Sequence, residues 1–302
     1  MSIISTIGNT PLVELTRICP NRNVRIFAKL EGSNPGGSVK DRPALYMIEK
    51  AELAGLLTPD KTILEATSGN TGIALAMIGA AKGYKVKLTL PGCVSSERRH
   101  ILEAFGAEVV LTKACEGTDG AIRSAHRILE EHPDKYFMPN QFASDNNPQA
   151  HFETTAPEIF EQTKGNLDVF VAGMGTTGTL MGCSRYFRQT GRDIKVIGVE
   201  PTVGHAIQGL KNMTESIVPK IYDRSLLDDI ITMPDETAFD CARRLACQEG
   251  LFAGLSSGAA VAAAIEVAGK MDSGTIVTII CDRGDRYLST MFFRSTCAKC
   301  AP

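Results

Sequence analysis

The chain has 302 residues, 43% of them hydrophobic and 22% charged, with a formal net charge of −2. That length supports a large buried core in one big domain or two modest ones, and the charge excludes electrostatic steering to nucleic acid or an anionic membrane surface. No apolar run reaches the ~20 residues of a bilayer span, and Met1-Ser2-Ile3-Ile4-Ser5-Thr6 lacks the basic-then-apolar order of a signal peptide, so no membrane contact and a cytoplasmic location are expected. In chain order, residues 24–30 read as a strand, 41–54 as a helix after a glycine-rich turn, 62–66 as a short apolar strand, 71–82 as an alanine-rich helix and 85–90 as a strand. Residues 96–105 and 120–131 read as helices around a strand at 107–111. The second half keeps the same alternation, with a strand at 168–172, a helix at 179–189, a strand at 195–200, helices at 236–250 and 258–270, and a strand at 275–281. Strands alternating with helices imply an α/β fold with mostly parallel sheets. The polar, proline-containing stretch 139–148 reads as a boundary, giving two α/β lobes with a cleft between them. Such sheets bind ligands outside the carboxyl ends of their strands.

The nine cysteines are odd in number and irregularly spaced, which reads as reduced thiols. Cys297-Ala-Lys-Cys300 lacks the second pair that a zinc site needs and reads as a loose tail. His100, His126, His132, His151 and His205 are scattered, so no metal site is expected. The Arg98-Arg99 pair reads as a solvated helix face.

Three runs carry the chemistry. Asn34-Pro35-Gly36-Gly37-Ser38-Val39-Lys40-Asp41-Arg42 is a glycine-rich turn opening a helix. Lys40 then lies beside the positive end of the helix dipole, which disfavours its ammonium and favours the neutral amine of Schiff-base chemistry. Taken alone, a lysine after Gly-Gly-Ser is more often a solvated surface residue. Gly173-Met174-Gly175-Thr176-Thr177-Gly178-Thr179 joins a strand to a helix. Its glycines let the backbone approach an anion, and its threonine hydroxyls and free amides donate to one. The spacing Gly173-x-Gly175-x-x-Gly178 also fits a dinucleotide fingerprint, with Glu200 ending the next strand. The three threonines favour a terminal phosphate instead. Glu65-Ala66-Thr67-Ser68-Gly69-Asn70-Thr71-Gly72 ends a strand and starts a helix, as a second anion site, a helix cap, or both.

Together with Ile7-Gly8-Asn9-Thr10-Pro11-Leu12 and Gly254-Leu255-Ser256-Ser257-Gly258, these runs resemble the cysteine synthase family of fold-type II pyridoxal 5'-phosphate (PLP) enzymes, in order and over nearly the whole chain. The resemblance implies a tryptophan synthase β-like fold. Residues 1–12 and 35–145 would form a smaller, mobile substrate lobe, and residues 13–34 and 146–302 a larger lobe that binds the cofactor phosphate. It implies Lys40 as the catalytic, Schiff-base lysine. Gly175, Thr176, Thr177, Gly178 and Thr179 would hold the phosphate, Asn70 the ring hydroxyl and Ser256 the pyridine nitrogen, with Ser257 adjacent in register. Thr67, Ser68, Gly69 and Thr71, with Gln141 of Asn140-Gln141-Phe142, would hold the substrate carboxylate. A serine at the nitrogen leaves the ring a weaker electron sink, which favours β-expulsion over transamination. The implied reaction is β-replacement, O-acetyl-L-serine plus sulfide giving L-cysteine plus acetate, in a homodimer.

Ile279-Ile280-Cys281-Asp282-Arg283-Gly284-Asp285-Arg286-Tyr287-Leu288-Ser289 resembles the B-type enzymes, which also take thiosulfate to S-sulfocysteine. Arg283 and Arg286 would add positive charge for an anionic donor. Cys281 stands either near the donor or as a small buried strand-end residue. Where B-type enzymes carry two arginines and a tryptophan, this chain has Gly209-Leu210-Lys211-Asn212-Met213 and no Trp, leaving Lys211 as the donor-site cation. Other readings are cystathionine chemistry, an O-phosphoserine substrate (no extra basic residue is obvious near 67–71), an NAD-binding oxidoreductase, and a non-catalytic binder, which would have no use for Lys40.

Overall fold

The computed structural model describes residues 2–67, 69–94 and 96–288. Ser68, Ser289, Cys297 and Cys300 lie outside the described residues. The elements in chain order are β1 (Leu12–Glu14), β2 (Val24–Leu30), α1 (Asp41–Leu53), β3 (Thr62–Ala66), α2 (Asn70–Lys82), β4 (Lys85–Pro91), α3 (Ser96–Ala104), β5 (Glu108–Thr112), α4 (Gly117–Glu131) and β6 (Tyr136–Phe137). They continue as α5 (Asn146–Ala150), α6 (Ala156–Gln162), β7 (Val169–Gly173), α7 (Gly178–Gln189), β8 (Lys195–Pro201), β9 (Asp229–Met233), α8 (Asp235–Glu249), α9 (Leu255–Lys270) and β10 (Gly274–Ile280).

Two sheets result, one in the order β1-β2-β10-β7-β8-β9 and the other β5-β4-β3-β6. All neighbours pair in parallel except β1, which is antiparallel to β2. The chain is therefore an α/β protein with two mostly parallel sheets. Parallel strands covered on both faces must be apolar on both. All five residues of β3 and the last five of β10 are buried accordingly. On the larger sheet, Ile26, Ala28, Val169 and Val171 pack with Ala242 and Leu245 of α8 and the alanines of α9. Phe170, Ala172, Val277 and Ile279 pack on the other face with Leu180, Met181 and Phe187 of α7. The smaller sheet buries Ile63 and Leu88 against α1 and α2, and Leu64 and Ala66 against Ala121 and Ala125 of α4.

Three differences from the expected elements bear on the site. Helix α9 begins at Leu255, three residues before the expected start, because Gly254 is the extended cap. Ser256 and Ser257 therefore lie in its first turn. The polar stretch 139–148 runs into helix α5, which continues through a π turn at His151–Thr155 into α6. Pro148 is compatible with that helix because the first turn needs no N–H partner there. Between β8 and β9, residues 202–228 contain only a short 3₁₀ turn, Arg224–Leu226. A connection that long and irregular in a compact chain is usually functional. Among the described residues no helix is long and apolar enough to cross a membrane.

Candidate active site

A cleft of about 680 Å³ opens at the carboxyl ends of β3, β4, β5, β7, β8 and β10. Its lining includes Lys40, Asn70, Gln141, Thr176, Ser256 and Cys281. Chain connectivity explains the convergence, since each parallel strand hands its carboxyl end to a loop on the same side.

Lys40 is the residue just before α1. Its loop is pinned to the end of β10: Ser38 bridges Asp282, and Val39 N donates to Cys281 O at 2.8 Å. Burial pushes the Lys40 ammonium down toward the neutral amine, opposed by the acidic groups of Cys281, Asp282 and Glu31. The next two residues anchor the turn. Gly36 N donates to Asp41 Oδ2 at 2.6 Å. The Arg42 guanidinium pairs with Glu31 at 2.7 Å and with Glu158 at 2.6 Å. Burial opposes the ionised Glu158, yet hydrogen bonds and charge from Arg42, then Lys29, hold its carboxyl at about 2.

The run from Gly175 to Thr179 crosses from β7 to the start of α7, whose first amides are free to bind an anion. Gly175, Thr176, Thr177 and Thr179 line the cleft. Gly178 does not; it faces backwards, where a Cβ would run into Asn147 Oδ1. Thr177 holds a left-handed backbone, φ 68°, an outlier for a β-branched residue and the kind of strain that collects at functional sites.

In the loop after β3, the Thr67 hydroxyl accepts from Gly69 N at 3.0 Å and Gly72 N at 3.3 Å. The Thr71 hydroxyl donates to Gln141 Oε1 at 2.7 Å, and Gln141 Nε2 donates to Ala66 O at 3.0 Å. The structure thus joins Thr71 and Gln141 across 70 residues of sequence. Thr67, Asn70, Thr71 and Gln141 face the cleft. Gly69 does not, because Arg98 packs over it; a Cβ there would come 2.6 Å from Arg98 Cδ.

Of the two serines at α9, Ser256 faces the cleft, whereas Ser257 turns away and accepts from Cys281 N at 2.9 Å. Cys281 also lines the cleft. Burial pushes its thiol up to about 11 despite the nearby Lys40 charge, so it is a thiol at neutral pH and no ready nucleophile. Lys211 reaches the mouth, 3.2 Å from Asp119 and over the Phe142 ring at 5.2 Å.

Two expectations are corrected. Arg98 is not on a solvated face. It is 2% exposed, lines the cleft, donates to Gln208 Oε1 at 2.7 Å, and lies over the Tyr287 ring at 4.8 Å. The two strand-end arginines do not line the cleft mouth. Arg283 is exposed and pairs with Asp285 at 3.1 Å. Arg286 is buried, donating to Asn70 Oδ1 at 2.5 Å and to Gly36 O. Asn70 also donates to Asp282 Oδ2 at 2.5 Å, which accepts from Tyr287 at 2.7 Å. Asp282 and Arg286 therefore bracket Asn70, an arrangement that sequence spacing alone does not reveal.

The donor set fits a compact aromatic phosphate. The cleft offers an anion cradle of hydroxyls and free amides, a desolvated lysine and a serine hydroxyl in place of a carboxylate. The glycine at 209, φ 94°, keeps the space before Ser256 open, since a Cβ there would meet only Ser256 Oγ at 4.0 Å. The family model described as pyridoxal-phosphate dependent enzyme matches residues 3–282. Cysteine synthase B of Pseudomonas aeruginosa is 47% identical over 289 residues, 96% of each chain. Among solved structures, O-ureido-L-serine synthase is 42% identical with a TM-score of 0.92, covering 98% of this chain and 95% of that one. Cysteine synthase (OASS) from Entamoeba histolytica is 39% identical with a TM-score of 0.91, covering 97% and 90%. The chain belongs to the pyridoxal-phosphate dependent enzyme family, and PLP is its cofactor.

Proposed function

We propose that the chain makes L-cysteine and acetate from O-acetyl-L-serine and sulfide, with thiosulfate as a second donor giving S-sulfocysteine. The observation that carries this reading is the convergence of Lys40, the threonine cradle, the Thr67–Thr71 loop and Ser256 on one cleft. Thr176, Thr177 and Thr179 would hold the cofactor phosphate, Asn70 its ring hydroxyl, Ser256 its ring nitrogen and Lys40 its aldehyde carbon. PLP, when bound, supplies the electron sink that eases loss of the α-proton and of the β-substituent. The Lys40 amine, whose charged form burial disfavours, takes the α-proton and later returns it. Thr67, Thr71 and Gln141 orient the substrate carboxylate. Acetate leaves with the electron pair of the broken C–O bond, and sulfur forms the new bond at the same carbon. Cys281, a half-buried thiol, and Lys211 border the donor's side of the cleft without reacting.

Motion of the smaller lobe, residues 1–12 and 35–145, closes the cleft and excludes water. A homodimer in a reducing cytoplasm goes with this reading, and the odd number and irregular spacing of the nine cysteines suit such a compartment. Arg98 favours a second reading. It puts a cation beside Gly69, where an anionic leaving group such as the phosphate of O-phospho-L-serine would need one. Cysteine formation by purified protein tests the main reading. Lys40→Ala should abolish turnover while the fold persists; a Lys40→Ala protein as active as wild type would remove Lys40 from the chemistry.

A further inference from the structure

The cradle hydroxyls are backed by a second layer. Helix α5 and the π turn after it press on the start of α7, and a Cβ at Gly182 would run into Pro148 O. Two side chains of that segment, each 1% exposed, reach the cradle from behind. Asn147 Nδ2 donates to Gln141 O at 2.7 Å and to Thr176 Oγ1 at 3.2 Å. The carbonyl partner identifies this atom as the amide nitrogen, which can only donate. His151 places Nε2 3.3 Å from Thr179 Oγ1 and Nδ1 2.9 Å from Thr155 Oγ1. Neither Asn147 nor His151 lines the cleft.

A hydroxyl has one proton and two lone pairs. When a neighbour donates to it, that proton stays available for another acceptor. Asn147 does this to Thr176. Burial, the largest cause, holds the pKa of the His151 ring well below its usual range, so it is neutral with one N–H to give. If Thr155 donates to Nδ1, the ring proton sits on Nε2 and points at Thr179. The reverse order would turn a Thr179 lone pair toward a phosphate dianion, which is repulsive. We propose that Asn147 and His151 are positioning residues for the cofactor phosphate, each donating to a cradle threonine so that the hydroxyl protons of Thr176 and Thr179 face the anion. The proposal rests on the assignment of the cradle to the PLP phosphate.

The test uses purified holoenzyme and two readouts besides turnover: PLP affinity, followed by the visible band on dilution, and the phosphorus NMR resonance of the bound cofactor. Asn147→Ala should weaken PLP binding about tenfold or more and move the resonance. In a Thr176→Val background, which lacks the hydroxyl, the same substitution should add little. An equal loss in both backgrounds, or an unmoved resonance with unchanged affinity, would reduce Asn147 to a packing residue and overturn the proposal. A measurement on the unmutated protein guards against a variant that does not fold. Nitrogen NMR of [15N]histidine-labelled holoenzyme should show His151 neutral with its proton on Nε2. A proton on Nδ1, or a charged ring, would overturn the His151 half. Wild-type protein that took up no PLP would bring down the cradle assignment itself, whereas intact PLP binding with insensitive variants would remove only this inference.

Discussion

Glu65 shows how much a single buried side chain can add to this site. It lies in β3 at 2% exposure. Its Oε2 accepts from Gln141 N at 3.2 Å and its Oε1 from Ala66 N at 3.1 Å. Burial pushes its carboxyl up to about 8, against the backbone N–H groups of Gln141, Ala66 and Asn140, which pull it down. The folded-state value therefore lies above the unfolded value of 4.5, and the fold favours the protonated acid. That contribution to stability is full below the unfolded value and is lost as pH rises through about 8. Melting temperature should fall across that window, and Glu65→Gln should flatten this part of the profile. A variant with an unchanged slope would place the titration elsewhere. Glu65 stands inside a run whose sequence suggests an anion loop, but no local pattern shows that its carboxylate is buried. The inward turn of Arg98 is hidden for a related reason. Adjacent helix residues point about 100° apart, so an Arg-Arg pair need not share a face, and Arg98 turns inward alone. Lys40, by contrast, is legible once its glycine-rich turn is read together with the other motifs, although its desolvation emerges only from the fold.

At the scale of elements, legibility follows length and periodicity. The strands at 62–66, 85–91 and 274–280 and the helices α2, α7, α8 and α9 are long or apolar enough to announce themselves. The three residues of β1 and the two of β6 carry no periodic signal, and sheet pairing alone defines them. Helix α5 is hidden because Asn-Asn-Pro favours turns locally, while packing on α7 settles the matter. The clue lies in the partner: Gly178 and Gly182 are four apart on α7, the first leaving room for the Asn147 side chain and the second for the Pro148 carbonyl. Gly178→Ala would drive a Cβ into Asn147 Oδ1, with an expected cost of about 1–3 kcal/mol and weaker PLP retention. Gly269→Ala, on α9 with open space around it, should be neutral or stabilising by up to about 1 kcal/mol. Thermal unfolding and PLP titration of both variants check this, and equal behaviour would refute the close packing of α5 on α7.

In the whole molecule, two kinds of contact join the parts on either side of the cleft. Beside Lys40 they are buried ions: Arg42 of the smaller lobe with Glu31 and Glu158 of the larger. Breaking such a pair costs about 3–5 kcal/mol, which makes this side the fixed one. At the mouth they are Arg98 to Gln208 and the more exposed ion pair of Lys211 with Asp119. The proposed lobe motion therefore opens at the mouth and hinges near the lysine. Two sheets with a cleft at their strand ends follow from alternation and the motifs, whereas strand order and cross-cleft links depend on contacts distant in sequence.

The most direct test of the proposed chemistry is the visible absorption spectrum of the purified protein, recorded before and after O-acetyl-L-serine is added and again after sulfide. The expected result is a yellow protein whose band moves to longer wavelength with O-acetyl-L-serine and returns when sulfide is supplied. A band moved by O-phospho-L-serine alone would transfer the reading to that substrate. A protein that stays colourless with added PLP, or a band that neither ester moves, would contradict it.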